Sequence, residues 1–427
     1  MKKRILSILL LCCMVLTLLP TAAFAAGEID EQFTLAPGGT YYFDLSAMGI
    51  PGTVNDALPD KTMRYVPFTY VGTVDAYSLK NEDDSNTQPY EHSLFVADFA
   101  VTHTINWNAL NDASLIFGKN YAAGGVDYML RAPSAGSDST GSGDSEHGTP
   151  QSNEWDRILD KNGGYIKNWV EMFSWGQDSE DASFRAVRGY FSARYWISYA
   201  TTDSAPNLGF SPVLEVLNPG TLGSDGLKVV TLDLGGGKLG SNSDHIQIIV
   251  KKGESFTAPA SDGLTRPDGN TGSYFKWLGS DGKLYVPGGS VPANVNKLTA
   301  QFVPPEQFNL APGGVYYFDL SGVGIPDTVN DALPDNTLHY VPFTYAGTVD
   351  AYKLTSEMAT TEEYAQQNEY AHSLFVADYA VTHAVSWDNL NAEGLIFGKD
   401  YTAGGVDYTL RAPSEGSDYT GSGDSER

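Results

Sequence analysis

The chain has 427 residues, of which 41% are hydrophobic and 12% aromatic, enough to fill globular cores and to exclude a wholly disordered protein. Its formal net charge of −26 opposes binding to nucleic acids and to anionic membranes. Both cysteines, Cys12 and Cys13, lie in the apolar N-terminal segment. A chain that has lost this segment therefore has no disulfide, no thiolate metal ligand and no cysteine nucleophile.

The first 25 residues have the layout of a secretory signal peptide. Three basic residues at 2–4 precede an apolar stretch over 5–19, and the small-residue cleavage motif Ala-Phe-Ala occupies 23–25. The apolar stretch is too short for a stable membrane span, and no other stretch approaches the necessary length. We therefore expect residues 1–25 to be removed and the rest to be secreted without membrane insertion.

Most of the following apolar segments have the length and composition of β-strands. They are rich in Val, Tyr, Phe and Thr and are bounded by Gly, Pro, Asn or Asp. The predicted strands are 41–45, 64–70, 126–131, 213–217, 229–234 and 246–251. Helical spacing is scarce and predicts short helices at 93–99, 152–162 and 181–187. The sequence thus predicts a mainly β protein with short helices, of the α+β class.

A long segment of the chain occurs twice. QFTLAPGGTYYFDLS at 32–46 returns as QFNLAPGGVYYFDLS at 307–321, and HSLFVADFAVTH at 92–103 returns as HSLFVADYAVTH at 372–383. Repetition at this length indicates an array of modules. The predicted parts after the signal peptide are a large module over 30–219, a small module over 227–302, a linker over 303–306 and a truncated second copy over 307–427. We expect attachment to a cell surface through a C-terminal region beyond Arg427.

The small module carries several landmarks in order. They are VVTLDLGGGKL (229–239), IQIIVKKGESFTAP (246–259), FKWLGSDGKLYVPGGSVP (275–292) and KLTAQF (297–302). In this order they resemble the Listeria–Bacteroides repeat of bacterial surface proteins, the type seen in internalin B-repeats. The resemblance implies a small β-grasp-like spacer. Trp277, Tyr285 and Phe302 are expected in its core rather than in a binding site.

The second half of the large module carries a different set of motifs, LRAP (130–133), RG (188–189), SAR (192–194) and GF (209–210). They resemble the C-type-lectin fold of formylglycine-generating-enzyme-like domains and of the variable proteins of diversity-generating retroelements. Ser211 stands where that family usually has arginine. The formylglycine-generating relatives use cysteines for their chemistry, so we expect this chain not to be an enzyme.

In the retroelement group, residues between the fixed motifs form a ligand-binding face on a constant scaffold. The resemblance implies the following ligand-binding residues: Val170, Glu171, Phe173, Tyr190, Phe191, Tyr195, Ile197, Ser198 and Tyr199. Tyrosine rings suit this role because they offer contact area at low entropic cost. A core position is the alternative for these rings. Four other aromatic residues are expected in the core, namely Trp169, Trp175, Phe184 and Trp196. Arg188 and Arg194 are expected in scaffold ion pairs.

Metal binding has little support in the sequence. His92 and His103 lack the spacing of a zinc motif. The acidic loop GSDSTGSGDSE at 136–146 lacks the ligand order of an EF-hand, so a solvated loop is favoured over a Ca²⁺ site. We expect no cofactor, with Ca²⁺ as the alternative left open for this loop.

The preferred function is that of a secreted or cell-surface bacterial binding protein, similar to an adhesin. Its partner would be a protein or glycan on another cell surface or in the extracellular milieu, and not a nucleic acid. One alternative is a structural stalk without a ligand, in which the rings would be buried. A less favoured alternative is an extracellular glycan hydrolase, which needs two carboxylates about 5–10 Å apart across a cleft.

Overall fold

The computed structural model describes residues 29–76, 90–136, 153–179, 182–267, 274–350 and 371–413, and these are mainly β. They form two compact units. The first holds the described residues up to Leu232 together with Leu239–Leu264 and Ser290–Lys297, and the second holds Asp233–Lys238, Thr265–Gly289 and the described residues from Leu298. The predicted small module is divided between the units, so the three-module organisation stays a prediction. The signal peptide lies outside the described residues.

The large module consists of short strands with a few short helices. Its strands are β1 (Thr40–Phe43), β2 (Thr53–Val54), β3 (Val66–Ala76), β4 (Tyr90–Ala97), β5 (Thr102–His103), β6 (Lys119–Ala123), β7 (Val126–Arg131), β8 (Phe173–Ser179), β9 (Phe184–Gly189), β10 (Trp196–Ala200), β11 (Leu208–Phe210) and β12 (Val213–Val216). Its helices are α1 (Trp107–Asp112), α2 (Glu154–Lys161) and α3 (Pro219–Leu222), with a 3-10 turn at Gly163–Tyr165.

Two six-stranded sheets build the large module. The first has the order β1-β3-β4-β12-β7-β6, and the second has the order β10-β9-β8-β11-β5-β2. The central strand β12 pairs antiparallel with both β4 and β7, whereas β11 and β8 run parallel. One buried cluster contains residues of both sheets, including Phe43 and Phe95 of the first and Trp175 and Phe210 of the second. The sheets therefore share a core.

Helix α2 covers the other face of the first sheet. Asn153 caps its N-terminus by accepting a hydrogen bond from the Asp156 N–H. Trp155, Ile158 and Leu159 lie on one face of the helix, as their i, i+3, i+4 spacing predicts, and pack in a second buried cluster. Strands β3 and β4 are consequently buried on both faces.

The structure confirms the mainly β class and corrects two predicted helices. The predicted strands at 126–131 and 246–251 are observed with those bounds, and the predicted helix at 152–162 is α2. The segments 93–99 and 181–187 are wrong as helices, because they lie largely in β4 and β9. Continuous burial of β4 hides the alternation that marks a half-buried strand, so the apolar run does not distinguish a helix from a strand.

The segment after the large module is also built of short strands. They are β13 (Leu227–Asp233), β14 (Lys238–Leu239), β15 (Ile246–Lys251), β16 (Phe256–Thr257), β17 (Leu264–Thr265), β18 (Lys276–Gly279), β19 (Leu284–Tyr285), β20 (Ser290–Val291) and β21 (Lys297–Gln301). In the second unit, β18 pairs with β19 and β21. Trp277 and Phe302 are buried around Phe275, as expected, while Tyr285 is half-buried and donates its hydroxyl to Asp281.

The second copy repeats the first copy's elements up to its seventh strand. Its elements are β22 (Val315–Phe318), β23 (Thr328–Val329), β24 (Val341–Asp350), β25 (Ala371–Ala377), β26 (Thr382–His383), α4 (Trp387–Ala392), β27 (Lys399–Ala403) and β28 (Val406–Leu410). Strands β22, β24 and β25 form one sheet, and β27 and β28 form a separate hairpin.

Candidate ligand-binding surface

Five aromatic rings of the large module lie in mutual contact, and we call them the ring cluster: Phe173, Tyr190, Phe191, Tyr195 and Tyr199. The rings of Phe173 and Tyr190 are stacked, with centroids 4.7 Å apart and planes 12° apart. Tyr195 and Tyr199 contact the same Phe173 ring at centroid distances of 6.1 and 5.5 Å. Phe191 stands edge-on against Tyr190 at 4.6 Å and against Tyr195 at 5.0 Å. Such edge and stacked contacts stabilise aromatic groups beyond the area they bury.

The ring cluster runs from the core to the surface. Phe173 belongs to the main buried cluster and is 3% exposed, whereas Phe191 is 68% exposed. Tyr190, Tyr195 and Tyr199 are partly buried and pack against the same core. Val170 is 63% exposed and its neighbour Glu171 is also exposed. A surface formed here therefore has Phe191 and Val170 at its outer edge and tyrosines behind them.

Several of the predicted contact residues lie elsewhere than expected. Phe173 lies beneath the tyrosines, because its strand is covered on that face, so its ring supports the surface instead of meeting a ligand. Tyr195, Ile197 and Tyr199 pack against the main core, and strand alternation directs Ser198 to the opposite face of β10. The nine predicted residues thus do not form one continuous face.

The backbone beneath the ring cluster is held in an unusual conformation. Gly189, Tyr190 and Glu171 all have positive φ, of 104°, 73° and 58°. The Tyr190 N–H donates to the carbonyls of Trp169 and Met172 at 2.8 and 3.0 Å, and the Glu171 N–H donates back to the Tyr190 carbonyl at 3.1 Å. Non-glycine residues with positive φ cost about 1–3 kcal/mol and occur preferentially at functional sites.

Helix α2 fixes the loop that carries the exposed ring. Arg188 donates to Asp156 at 2.6 Å with both side chains fully buried. Arg194 reaches the same carboxylate at 3.2 Å and Asp160 at 2.7 Å. The Trp155 indole N–H donates to the Ala193 carbonyl at 2.7 Å. These contacts confirm that Arg188 and Arg194 belong to scaffold ion pairs, and they hold both ends of the 189–195 loop.

A second buried charge network lies at the N-terminus of α2, and no pattern in the sequence indicates it. Arg131 donates to Glu154 at 2.5 Å and to Glu215 at 2.7 Å, and His92 Nε2 lies 2.6 Å from Glu154. Burial alone would raise the pKa of Glu154, but Arg131 and then His92 hold that pKa below its ordinary value. His92 is therefore a structural partner of a carboxylate in this arrangement.

The four aromatic residues expected in the core do not all lie there. Trp175 and Trp196 are buried, and their indole N–H groups donate to the Ile105 and Gly136 carbonyls. Trp169 is only partly buried against the cluster beneath α2. Phe184 is 40% exposed, so its assignment to the core was wrong. It occupies the first position of β9, where the strand emerges at the surface.

Burial also raises the pKa of one tyrosine in this surface. The pKa of Tyr199 is raised, first by burial and then by the neighbouring Tyr195 and Tyr190 hydroxyls and by Asp203. The Tyr199 phenol therefore stays neutral at physiological pH. A neutral phenol both donates and accepts hydrogen bonds, so the surface offers polar contacts beside the apolar Phe191 ring.

Among the described residues there is no group of three or more His, Cys, Asp or Glu side chains suited to a metal ion. The acidic loop predicted at 136–146 lies outside the described residues except for Gly136. No helix in the described part of the chain is long and apolar enough to cross a membrane.

Comparison with known proteins does not show a family for this chain. No protein-family model matches the chain, and no curated protein matches it either. A solved structure, Treponema denticola variable protein 1, is similar at 11% sequence identity, with 35% of this chain and 95% of that chain covered and a TM-score of 0.19. A score this low carries no argument about the function or the detailed fold of this chain.

Proposed function

We propose that this protein is an extracellular binding protein that captures a protein or glycan ligand with Val170, Phe191 and the tyrosines of the ring cluster. The observation that carries the proposal is the 68% exposure of Phe191 in a loop whose two flanking arginines, Arg188 and Arg194, pair with the buried Asp156. An apolar ring that is exposed to this degree contributes little to the stability of the isolated fold. The same ring becomes favourable when a ligand covers it.

The anchoring of the loop supports binding by a preformed surface. Two arginines, a tryptophan N–H and three backbone hydrogen bonds hold the loop in one conformation. Ligand binding then loses little conformational entropy of the loop, whereas a flexible loop would have to become ordered on binding. A purely structural stalk offers no reason for such a conformation beneath an exposed phenylalanine, so binding is the favoured function.

The mixture of groups at the surface suits sugars and peptides alike. Phe191 and Val170 provide apolar contact, the tyrosine hydroxyls provide hydrogen bonds, and Glu171 adds a carboxylate. We propose a C-type-lectin-like scaffold, secretion, and display at a bacterial cell surface. Strand β7, which contains Leu130 and Arg131 of the LRAP motif, pairs directly with β12. This pairing supports the proposed scaffold. The carboxylates Glu154, Asp156 and Glu215 hold arginines, and we propose no catalytic role for them.

The test uses the full secreted chain, labelled and applied to a printed array of oligosaccharides and to an array of immobilised extracellular proteins. The variant Val170→Ser/Phe191→Ser removes the outer apolar edge without touching a buried side chain. We expect it to lose about tenfold or more in apparent affinity for whichever probe the unaltered chain binds, because truncating exposed aromatic anchors typically costs this much.

The matched control is Tyr340→Ser, which removes an aromatic side chain that is 66% exposed and lies outside the ring cluster. Its binding should equal that of the unaltered chain. Equal capture by the double variant and the control would contradict the proposed surface. Failure of the unaltered chain to bind any probe on either array would also count against it.

A further inference from the structure

A cavity of about 480 Å³ opens on the face of the first sheet that points away from the shared core. Side chains along strand β1 alternate, and Tyr41 and Phe43 are buried in the core. Thr40 and Tyr42 therefore lie on the opposite face, where they line the cavity. Tyr42 is paired with Pro67 of β3, which also lines it. The volume falls within the range of small-molecule sites, about 300–1,000 Å³.

The walls of the cavity come from three other segments of the first compact unit. Leu58 and Pro59 lie in the loop after β2, Phe99 follows β4, and Gly240 and Ser241 follow β14. A Cβ added to Gly240, whose φ is +59°, would lie 3.0 Å from the Cα of Pro59. The two loops are thus in close contact, and proline fixes the backbone of one of them. The cavity is therefore largely formed before any ligand binds.

One buried carboxylate lines the cavity in a fixed position. Asp98 is 6% exposed and accepts hydrogen bonds from the Thr69 hydroxyl at 2.6 Å and from Lys167 Nζ at 3.1 Å. These bonds use two of the roughly four acceptor positions of a carboxylate, so acceptor capacity remains for a ligand. Because Lys167 already compensates the charge of Asp98, a cationic ligand would be left without a counter-charge, and an anionic ligand would be repelled. The carboxylate therefore favours an uncharged hydrogen-bond donor.

Neutral hydroxyl groups line the same cavity. Thr40 and Ser241 each contribute one, and the Tyr42 side chain is hydrogen-bonded to Asn242. The pKa of Tyr42 is raised, mainly by burial, so its phenol stays neutral at physiological pH. Hydroxyl groups both donate and accept hydrogen bonds. The cavity thus combines neutral polar groups and one compensated carboxylate with an apolar wall formed by Leu58, Pro59 and Phe99.

We propose that this cavity is a binding site for one uncharged hexose ring, free or at the end of a glycan. The hydroxyls at the rim of the sugar donate to Asp98 and form hydrogen bonds with Thr40 and Ser241. The C–H face of the sugar packs against Phe99 and Pro59. A purely apolar ligand would bury the carboxylate without adding hydrogen bonds to it. The site shares no residue with the ring cluster and does not depend on its function.

The probes are the methyl glycosides of glucose, galactose and mannose, titrated against the full secreted chain and followed by saturation-transfer NMR. Cyclohexanol, cyclohexylamine and glucuronate represent apolar, cationic and anionic ligands of similar size. We expect saturable binding of at least one methyl hexoside and weaker binding of these three. Ser241→Trp places a large side chain at an exposed position of the cavity lining and should weaken hexoside binding at least tenfold. Ser243→Trp is the control, since Ser243 is exposed and does not line the cavity.

Asp98→Asn should weaken hexoside binding about tenfold, because a hydrogen bond to a charged acceptor is lost, and thermal unfolding checks that this variant is folded. The Val170→Ser/Phe191→Ser variant should bind the hexoside as the unaltered chain does. Loss of binding in that variant would place the sugar on the ring cluster and overturn the proposal. So would equal affinities of Ser241→Trp and Ser243→Trp, or no saturable hexoside binding. Tighter binding of cyclohexanol, cyclohexylamine or glucuronate would assign the cavity to another class of ligand and overturn the choice of a sugar.

Discussion

Glu154 is the residue on which the buried charge network of the first unit depends. It accepts hydrogen bonds from Arg131 at two positions, 2.7 and 2.5 Å, and from the Ser134 N–H at 3.0 Å. Glu154 and Arg131 are almost completely buried. Breaking a buried ion pair by removing one partner typically costs about 3–5 kcal/mol, because the other charge stays in a medium of low polarity.

We therefore expect Glu154→Gln to lower the free energy of unfolding of the first unit by about 3 kcal/mol or more, measured by urea unfolding at pH 7. Glu254→Gln is the matched control. Glu254 is half-exposed in a surface ion pair with Lys251, so its replacement should change the free energy of unfolding by less than about 1 kcal/mol. Similar midpoints for the two variants would show that Glu154 does not carry the network.

Asp178 makes the stability of the first unit depend on pH. Its pKa is raised to about 6 by burial, although the backbone N–H groups of Ala135 and Gly136 partly offset this. A carboxyl with a raised pKa binds its proton more strongly in the folded state than in the unfolded chain. Its contribution to stability is therefore complete below the ordinary aspartate pKa of 3.8 and is lost as the pH rises through about 6.

Asp178→Asn should remove this part of the pH dependence. The amide oxygen keeps the acceptor for the Ala135 N–H, which Asp178 contacts at 2.5 Å. Between pH 4 and pH 7, the free energy of unfolding of the unaltered chain should fall by up to about 3 kcal/mol more than that of the variant. This figure follows from the raised pKa of Asp178 at about 1.36 kcal/mol per pKa unit. Unfolding free energies at pH 4, 5, 6 and 7 measure the difference. Parallel pH curves for the two chains would contradict the assignment.

At the scale of elements, the turn from β9 into the ring cluster depends on Gly189. Its φ is +104°, and a Cβ at this position would lie 2.6 Å from the Met172 carbonyl oxygen. Gly189→Ala should therefore destabilise the first unit by about 1–3 kcal/mol and shift the near-ultraviolet signal of the rings. Gly163→Ala is the control, because a Cβ added there would meet no atom within 4 Å and the φ of Gly163 is not positive. A Gly189→Ala variant as stable as this control would mean that the turn is not constrained.

The local elements were largely predictable from the sequence, whereas the partners of the buried charges were not. Strands β7 and β15 follow from short β-branched and aromatic runs between turn residues, and α2 follows from an Asn cap and i, i+3, i+4 spacing. Strand β9, part of which lies in the predicted helix 181–187, contains Arg185 and Arg188, and two charged residues interrupt the apolar run by which a buried strand is recognised. Both charges are buried in the fold: Arg188 pairs with Asp156, and Arg185 lies 4.5 Å above the Trp107 ring.

The sequence predicts which segment carries the candidate surface, but not which of its side chains face the solvent. The crowding of rings at 190–199 identified the segment, because so many aromatic side chains cannot all point inward. Strand alternation places Tyr199 and Ser198 on opposite faces of β10, and the pairing of β10 with β9 decides which of the two faces packs against the core, which a single sequence does not give. The contact of Arg131 with Glu215 joins residues 84 positions apart, so no local pattern could reveal it.

At the scale of the whole molecule, the two copies show how one sequence pattern gives two degrees of burial. The rings of Phe95 and Tyr128 are fully buried in the first copy. Their counterparts Phe375 and Tyr408 remain half-buried, although their contact geometry is nearly the same, with centroids 6.1 Å apart in both copies. Local packing is therefore reproduced by the repeated strands, while complete burial depends on partners outside the repeated segment.

This difference predicts two levels of stability within one chain. Each square ångström of apolar surface left in water forgoes about 25 cal/mol, and the second copy leaves Trp387 46% exposed where Trp107 is 1% exposed. Hydrogen exchange at increasing urea should therefore show amides of β25 opening at a lower concentration than those of β4, since local stability follows buried contacts. The comparison has an internal control, because the two strands share the sequence HSLFVAD within one molecule. Equal midpoints for β4 and β25 would mean that the greater exposure of the second copy does not lower its local stability.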